Sequence, residues 1–123
     1  MPRITPDKKY EALPCSYVGA GCAYENLFKK PFTAPLPEGY HDDGYLSLDN
    51  MNRFIRQYLP VKKKLYYNRA NRFPLSQLLE QNKTPMIICV KGHCIYANHG
   101  DYASFFENKN DPVVCIWYLD PNH

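Results

Sequence analysis

Residues 85–97 read Pro-Met-Ile-Ile-Cys-Val-Lys-Gly-His-Cys-Ile-Tyr-Ala, and this stretch decides how the C-terminal third folds. Its two apolar runs, Pro85 to Val90 and His93 to Ala97, are separated by Lys91 and Gly92. Both runs have the length and the β-branched or aromatic content that are typical of buried strands. The stretch therefore predicts two neighbouring strands, the second of which carries a histidine.

The rest of the C-terminal third repeats the same pattern. Two further strands are predicted at Tyr102 to Phe106 and at Val113 to Leu119. Turn-forming residues lie between the runs, at Asn98–Asp101 and at Asn108–Asp111. The order of runs and turns predicts an antiparallel meander.

The preceding two thirds are mostly helical in pattern. Apolar residues from Cys15 to Lys29 fall near helical spacing, and Pro31 is expected to end that helix. Ser47 is a suitable N-cap for a second helix with one clean apolar stripe, and Pro74 to Gln81 suggests a short third helix. Lysines in Val61 to Tyr67 favour a strand at a sheet edge. The fold class is therefore α+β, with N-terminal helices packed on a C-terminal antiparallel sheet.

Composition limits the class of protein. The 123 residues are 45% hydrophobic and 15% aromatic, which predicts one domain over 1–123, with 1–12 as a polar lead-in. A net charge of +3 is too small to argue for nucleic acid, and no apolar run suits a signal peptide or a membrane span. The five cysteines are odd in number and widely spaced, which predicts reduced thiols in a cytoplasmic protein.

Cys15 and His93 are the residues with the clearest chemical potential. A cysteine at a helix start is favoured as a thiolate by the helix dipole and the free N–H groups there. A histidine on a strand against that helix would serve as its base. The structural alternatives are a small buried residue for Cys15 and a core histidine bonded to a backbone carbonyl for His93.

The order of elements around these two residues resembles a minimal papain-like cysteine peptidase fold, in particular its small, phage-type members. In such proteins the first helix begins with cysteine and continues to a Tyr-Glu segment, here Tyr24-Glu25. A Gly-His pair then lies on a later strand, here Gly92-His93, and a glycine turn follows at His99-Gly100. The resemblance implies that Cys15 is a nucleophile and His93 its base.

Two positions depart from the pattern of that superfamily. The residue that would orient His93, usually Asp or Asn, falls at Ser104, with Asn98 and Asp101 as competitors that also suit a turn. The glutamine that supplies an oxyanion donor before the cysteine has no counterpart, since Lys9 and Glu11 occupy that region. The predicted catalytic set is therefore Cys15, His93 and Ser104, without cofactor or metal.

Two functions follow from this interpretation. The first is a cysteine peptidase or related thiol hydrolase that acts on peptide or isopeptide-type bonds. The second is a catalytically inactive papain-like fold that serves as a phage accessory protein and binds a host protein, with aromatic residues at the interface. Both imply a protein or peptide partner in the cytoplasm, of a bacterial host cell if the chain is phage-encoded, and neither implies nucleic acid or membrane.

Three other groups of residues are weaker candidates. One is a set of metal-ligand types whose spacing does not fit zinc. Another is a basic segment for which a solvated edge strand is the simpler explanation. The third is an acidic loop for which a solvated turn is simpler. The metal-ligand types are Cys89, His93, Cys94, His99 and Cys115. The basic segment is Lys62-Lys63-Lys64 with Tyr66, Tyr67, Arg69 and Arg72. The acidic loop is His41-Asp42-Asp43.

Overall fold

The structure is a computed structural model that describes residues 3–4, 13–36, 48–81, 84–90, 93–98, 101–103 and 110–122, with the backbone alone described at 3–4 and 101–103. Three α-helices and six strands are found within these ranges. They are β1 (Arg3–Ile4), α1 (Cys15–Phe28), α2 (Leu48–Tyr58), β2 (Val61–Tyr66), α3 (Leu75–Gln81), β3 (Met86–Val90), β4 (His93–Asn98), β5 (Asp101–Ala103) and β6 (Val113–Leu119). The fold class is α+β, as the sequence predicts.

The described strands form one sheet in the order β1-β5-β4-β3-β6-β2. Neighbours pair antiparallel throughout β5 to β2, and β1 joins the other edge parallel to β5. Strand β2, which carries the three lysines, lies at an edge, as its charge pattern predicts. The expectation of a simple meander is wrong in one respect, since β6 returns to pair with β3 instead of following β5.

The position of β6 has a physical reason. Its side chains alternate between the two faces of the sheet, and both sets are buried, so the strand is covered above and below. A strand of this kind is stable in the middle of a sheet, where both faces and both edges are covered. The lead-in also differs from expectation, because Arg3–Ile4 pairs with β5 and protects that edge.

The two faces of the sheet have separate cores. Helices α1 and α2 pack on the face that includes Ile87, Cys89 and Trp117, and α1 lies mainly across β4. Helix α3 packs on the opposite face with Ile88 and Ile116. The N-terminal helices therefore pack on the sheet as predicted, and the short third helix covers its other side.

The C-terminal end of α1 is set by the local backbone conformation. The helix ends at Phe28, before the expected stop at Pro31, because Lys29 takes a left-handed conformation with φ of 59°. The N–H of Lys29 then donates to the carbonyl of Glu25 at 3.0 Å, which satisfies one of the last carbonyls. Ser47, the expected N-cap of α2, lies outside the described residues.

Candidate active site

Cys15 is the first residue of α1 and is the least buried of the five cysteines. Pro14 occupies the N-cap position without a side-chain cap, and its carbonyl accepts the first helical hydrogen bond, from Val18 N–H at 3.0 Å. The proline ring presets an extended entry to the helix and cannot cover the first turn with a polar side chain. The Cys15 sulfur therefore lies at the open, positive end of the helix.

The Cys15 thiol forms side-chain hydrogen bonds with Cys94 and His93, and it also contacts the backbone of Cys94. Cys15 and His93 are thus neighbours in space, as their sequence context predicts. Their catalytic roles remain a prediction. The sulfur lies over the first two residues of β4, because α1 crosses that strand.

The surroundings of Cys15 keep its thiol protonated. The hydrogen bond to Cys94 raises the pKa of Cys15 most, and burial raises it further. The hydrogen bond with His93 and the Cys94 backbone act in the opposite direction, but the net pKa is well above the ordinary value for a thiol. A helix-start cysteine alone would predict a lowered pKa, so the neighbouring sulfur decides the outcome.

Sequence reasoning considered Cys94 only as a metal ligand and missed its contact with Cys15. Along β4, Cys94 and Tyr96 belong to the core on the α1 face, whereas Ile95 and Ala97 belong to the opposite core. Alternation thus places Cys94 directly under α1, and His93 reaches Cys15 from the first position of the strand. Counting this alternation from Tyr96 would have indicated Cys94, once α1 was known to pack on that face.

Of the three candidates for orienting His93, the structure places Asn98 and Asp101, and neither lies near it. Asn98 lies five residues further along β4, or about 17 Å at strand spacing. Its Nδ2 donates to Asn26 Oδ1 at 3.0 Å, and the same oxygen accepts the Tyr96 hydroxyl at 2.6 Å. Asp101 pairs with Asn98 at that far end, so neither residue is placed to orient His93. Ser104 lies outside the described residues.

Sulfur atoms continue from Cys94 across the sheet. Cys94 and Cys89 face each other on β4 and β3 with their sulfurs 2.7 Å apart, and both contact the Met51 sulfur, at 3.5 and 3.6 Å respectively. Within the part of the chain that the structure describes, no three His, Cys, Asp or Glu side chains are arranged to hold a metal ion. His99, which was one of the considered ligands, lies outside that part.

Two lysines of the basic segment contact aromatic rings of β6. Lys63 Nζ lies 5.6 Å from the ring centre of Tyr118, and Lys64 Nζ lies 5.5 Å from that of Trp117. These cation–π contacts tie the edge strand β2 to the rings of β6. The acidic loop His41-Asp42-Asp43 lies outside the described residues.

A small pocket lies at the other end of α1, and an aromatic cluster forms its wall. Tyr24, Phe32 and Tyr58 line it, and Tyr24 is nine residues from Cys15, or about 14 Å along the helix. The pocket is therefore separate from the Cys15 site. Among the described residues, no helix combines the length and the apolar character needed to cross a bilayer.

Comparisons with known proteins do not assign the chain to a family. No protein-family model matches it, and no curated protein or solved structure matches it significantly either.

Proposed function

We propose that this chain is a cysteine peptidase-like thiol hydrolase in which Cys15 is the nucleophile and His93 its base. The observation that supports the proposal most is the hydrogen bond between the Cys15 thiol, at the start of α1, and His93 on β4. A nucleophile and a base within hydrogen-bond reach are the minimum that acyl transfer requires. The resemblance to papain-like proteins suggests peptide or isopeptide-type bonds as substrates.

The raised pKa of Cys15 determines how the reaction would run. Since the thiol is neutral at rest, His93 removes its proton as the sulfur attacks the substrate carbonyl. The negative oxygen that forms is stabilised by backbone N–H groups at the start of α1, where the helix dipole is positive. His93 then returns the proton to the leaving amine, and water completes the hydrolysis. Five cysteines outside any disulfide suit a reducing cytoplasm, of a bacterial host if the chain is phage-encoded.

The test is alkylation of the reduced protein with iodoacetamide between pH 6 and 10, followed by peptide mapping. Cys15 should react fastest of the five cysteines, and His93→Ala should slow it because the proton acceptor is lost. Cys94→Ala should shift the rate profile of Cys15 to lower pH, since the main cause of its raised pKa is removed. Cys22→Ala, a buried position on the same helix, is the matched control and should change neither rate.

Turnover is tested separately with a pool of fluorogenic peptide amides and an isopeptide-linked lysine substrate. Hydrolysis should disappear in Cys15→Ala and fall in His93→Ala, while Cys22→Ala keeps the parent rate. Alkylation of Cys15 that is independent of His93, together with no hydrolysis by the parent, would contradict the proposal.

A binding protein without turnover is the second candidate. The raised pKa of Cys15 favours it, since a thiol that keeps its proton is a weak nucleophile. The protein would then bind a partner protein of the host cell through its surface and keep the papain-like arrangement only as a scaffold. Under this alternative, Cys15→Ala binds the partner as tightly as the parent chain does.

A further inference from the structure

A row of cysteines leads from the candidate site into the sheet. Cys94 on β4, Cys89 on β3 and Cys115 on β6 are consecutive cross-strand neighbours, all on the face that α1 covers. Cys15 bonds to the Cys94 side chain from above, and the Cys94 and Cys89 sulfurs are 2.7 Å apart. Three thiols are therefore in sequential contact, from Cys15 through Cys94 to Cys89.

The geometry of β3 and β4 suits a disulfide between the two inner thiols. Cys89 and Cys94 are direct partners in the antiparallel ladder, where opposite Cα atoms lie about 4.5–5.5 Å apart. Disulfides usually span Cα distances of about 4.4–6.8 Å, so the bond needs no movement of the strands. Both thiols are buried, whereas Cys15 is half-buried, so an oxidant from solvent meets Cys15 first.

We propose that Cys15, Cys94 and Cys89 form a thiol relay that converts oxidation at Cys15 into a Cys89–Cys94 disulfide. The oxidant is a hydroperoxide. The Cys15 sulfur attacks its outer oxygen while the thiol proton passes to the departing oxygen, which gives a sulfenic acid on Cys15 and releases an alcohol, or water from hydrogen peroxide. The Cys94 sulfur then displaces the hydroxyl group, so that a Cys15–Cys94 disulfide forms and water leaves.

The second exchange moves the bond inward. The Cys89 sulfur attacks the Cys94 sulfur, and Cys15 leaves as a thiolate that takes up the proton lost by Cys89. In sum, two thiols lose two electrons and two protons, and the hydroperoxide is reduced to alcohol and water. Cys15 is returned as a free thiol while the oxidation is stored beneath it.

The inner disulfide changes the state of Cys15. Cys94 then has no thiol with which to hold the Cys15 proton, so the largest cause of the raised pKa is removed, while the contact with His93 remains. Oxidation therefore makes Cys15 more acidic and more nucleophilic. This regulatory consequence rests on the proposed function of Cys15, whereas the relay itself does not.

The test uses the intact protein and a convenient trypsin site. The reduced protein is treated with hydrogen peroxide in slight excess, blocked with N-ethylmaleimide and digested without reductant. Cleavage after Lys91 separates Cys89, in peptide 84–91, from Cys94, in peptide 92–109. The relay predicts that these two peptides are linked and that Cys15, which shares peptide 10–29 with Cys22, carries the maleimide when that peptide is sequenced by fragmentation.

Variants separate the steps. Cys89→Ala should stop the relay halfway and link peptide 10–29 to peptide 92–109, and Cys15→Ser should slow formation of the inner disulfide ~10-fold or more, since the accessible thiol is lost. Cys22→Ala is the control and should oxidise like the parent. Even if a variant fails to fold, the peptide map of the parent protein decides the question.

Other outcomes of the parent map would overturn the relay. These are a sulfinic acid on Cys15 with Cys89 and Cys94 still blocked by maleimide, or a link from peptide 84–91 to 110–123, which holds Cys115.

The regulatory consequence is read from alkylation of Cys15 at pH 7, which should be ~10-fold faster after oxidation if its pKa falls by one unit. Disulfide formation without faster alkylation would overturn the regulation alone. A loss of His93 dependence would instead refute the proposed hydrolase and leave the relay standing.

Discussion

Replacement of Gly19 by alanine is expected to stabilise the protein. Gly19 is a buried residue inside α1, at the point where the helix faces the backbone of β4. A Cβ built on it would lie 3.7 Å from the carbonyl carbon of Ile95 and 3.9 Å from the N atom of Tyr96. Both distances are ordinary van der Waals contacts, so the added methyl group fits without moving the strand.

The size of the effect follows from helix propensity. Glycine inside a helix costs about 0.8–1.0 kcal/mol relative to alanine, mainly because the unfolded chain is more flexible. The contacts of the methyl group with β4 add to this gain, so Gly19→Ala should raise the free energy of unfolding by ~1 kcal/mol or slightly more. For a domain of this size that corresponds to a rise in Tm of about 3–5 °C.

The assay is urea and thermal unfolding followed by circular dichroism, with reductant present. Gly19→Val is the matched variant, because its extra methyl groups would extend towards the Ile95 backbone and cost ~1–3 kcal/mol by overpacking. A Gly19→Ala protein less stable than the parent would refute the packing of Gly19 in α1 against the backbone of β4. So would a Gly19→Val protein as stable as Gly19→Ala.

Three further predictions concern buried polar groups. Asn52→Ala should lower the free energy of unfolding by ~1–3 kcal/mol, because the buried Trp117 Nε1–H loses its acceptor at 2.9 Å. Urea denaturation measures this loss, and Asn52→Asp, which keeps an acceptor, should lose less stability. Asn26→Ala should cost a similar amount, because the Tyr96 hydroxyl and Asn98 Nδ2 lose their shared acceptor. Adding Tyr96→Phe should recover part of the loss, and additive losses in the double variant would contradict this. Burial raises the pKa of Cys115 from 9.0 to about 11, so its thiolate is favoured in the unfolded chain. The free energy of unfolding, measured in reductant, should therefore hold steady below pH 9 and fall between pH 9 and 11, less steeply in Cys115→Ala. Equal slopes in both proteins would count against the burial of this thiol.

Most of the secondary structure could be predicted from local patterns. The apolar stripe of α2 places Met51, Phe54 and Ile55 in the core, as its spacing indicates. The lysines of β2 place it at an edge, and Val113 to Leu119 matches the closing strand residue for residue. These features depend on side-chain periodicity and charge within one segment, which the sequence contains directly.

The candidate site was only partly predictable. The contact between Cys15 and His93 follows from a helix-start cysteine and a strand histidine, and the structure places them together. The role of Cys94 does not follow, because it depends on which face of β4 the helix covers. Asn98 was a reasonable candidate to orient His93, yet its side chain bonds to Asn26 at the far end of the strand.

Hydrophobic periodicity and turn chemistry are local properties, so the three helices, most of the strands and the two residues with chemical potential could be predicted from the amino-acid sequence alone. The position of β6 beside β3 and the contact of Cys15 with a row of sulfurs could be seen only in the folded chain. Strand order and the pKa of a buried thiol depend on groups that are distant along the chain. Packing of α1 across β4 brings those groups together and turns a thiol expected to be acidic into one that keeps its proton.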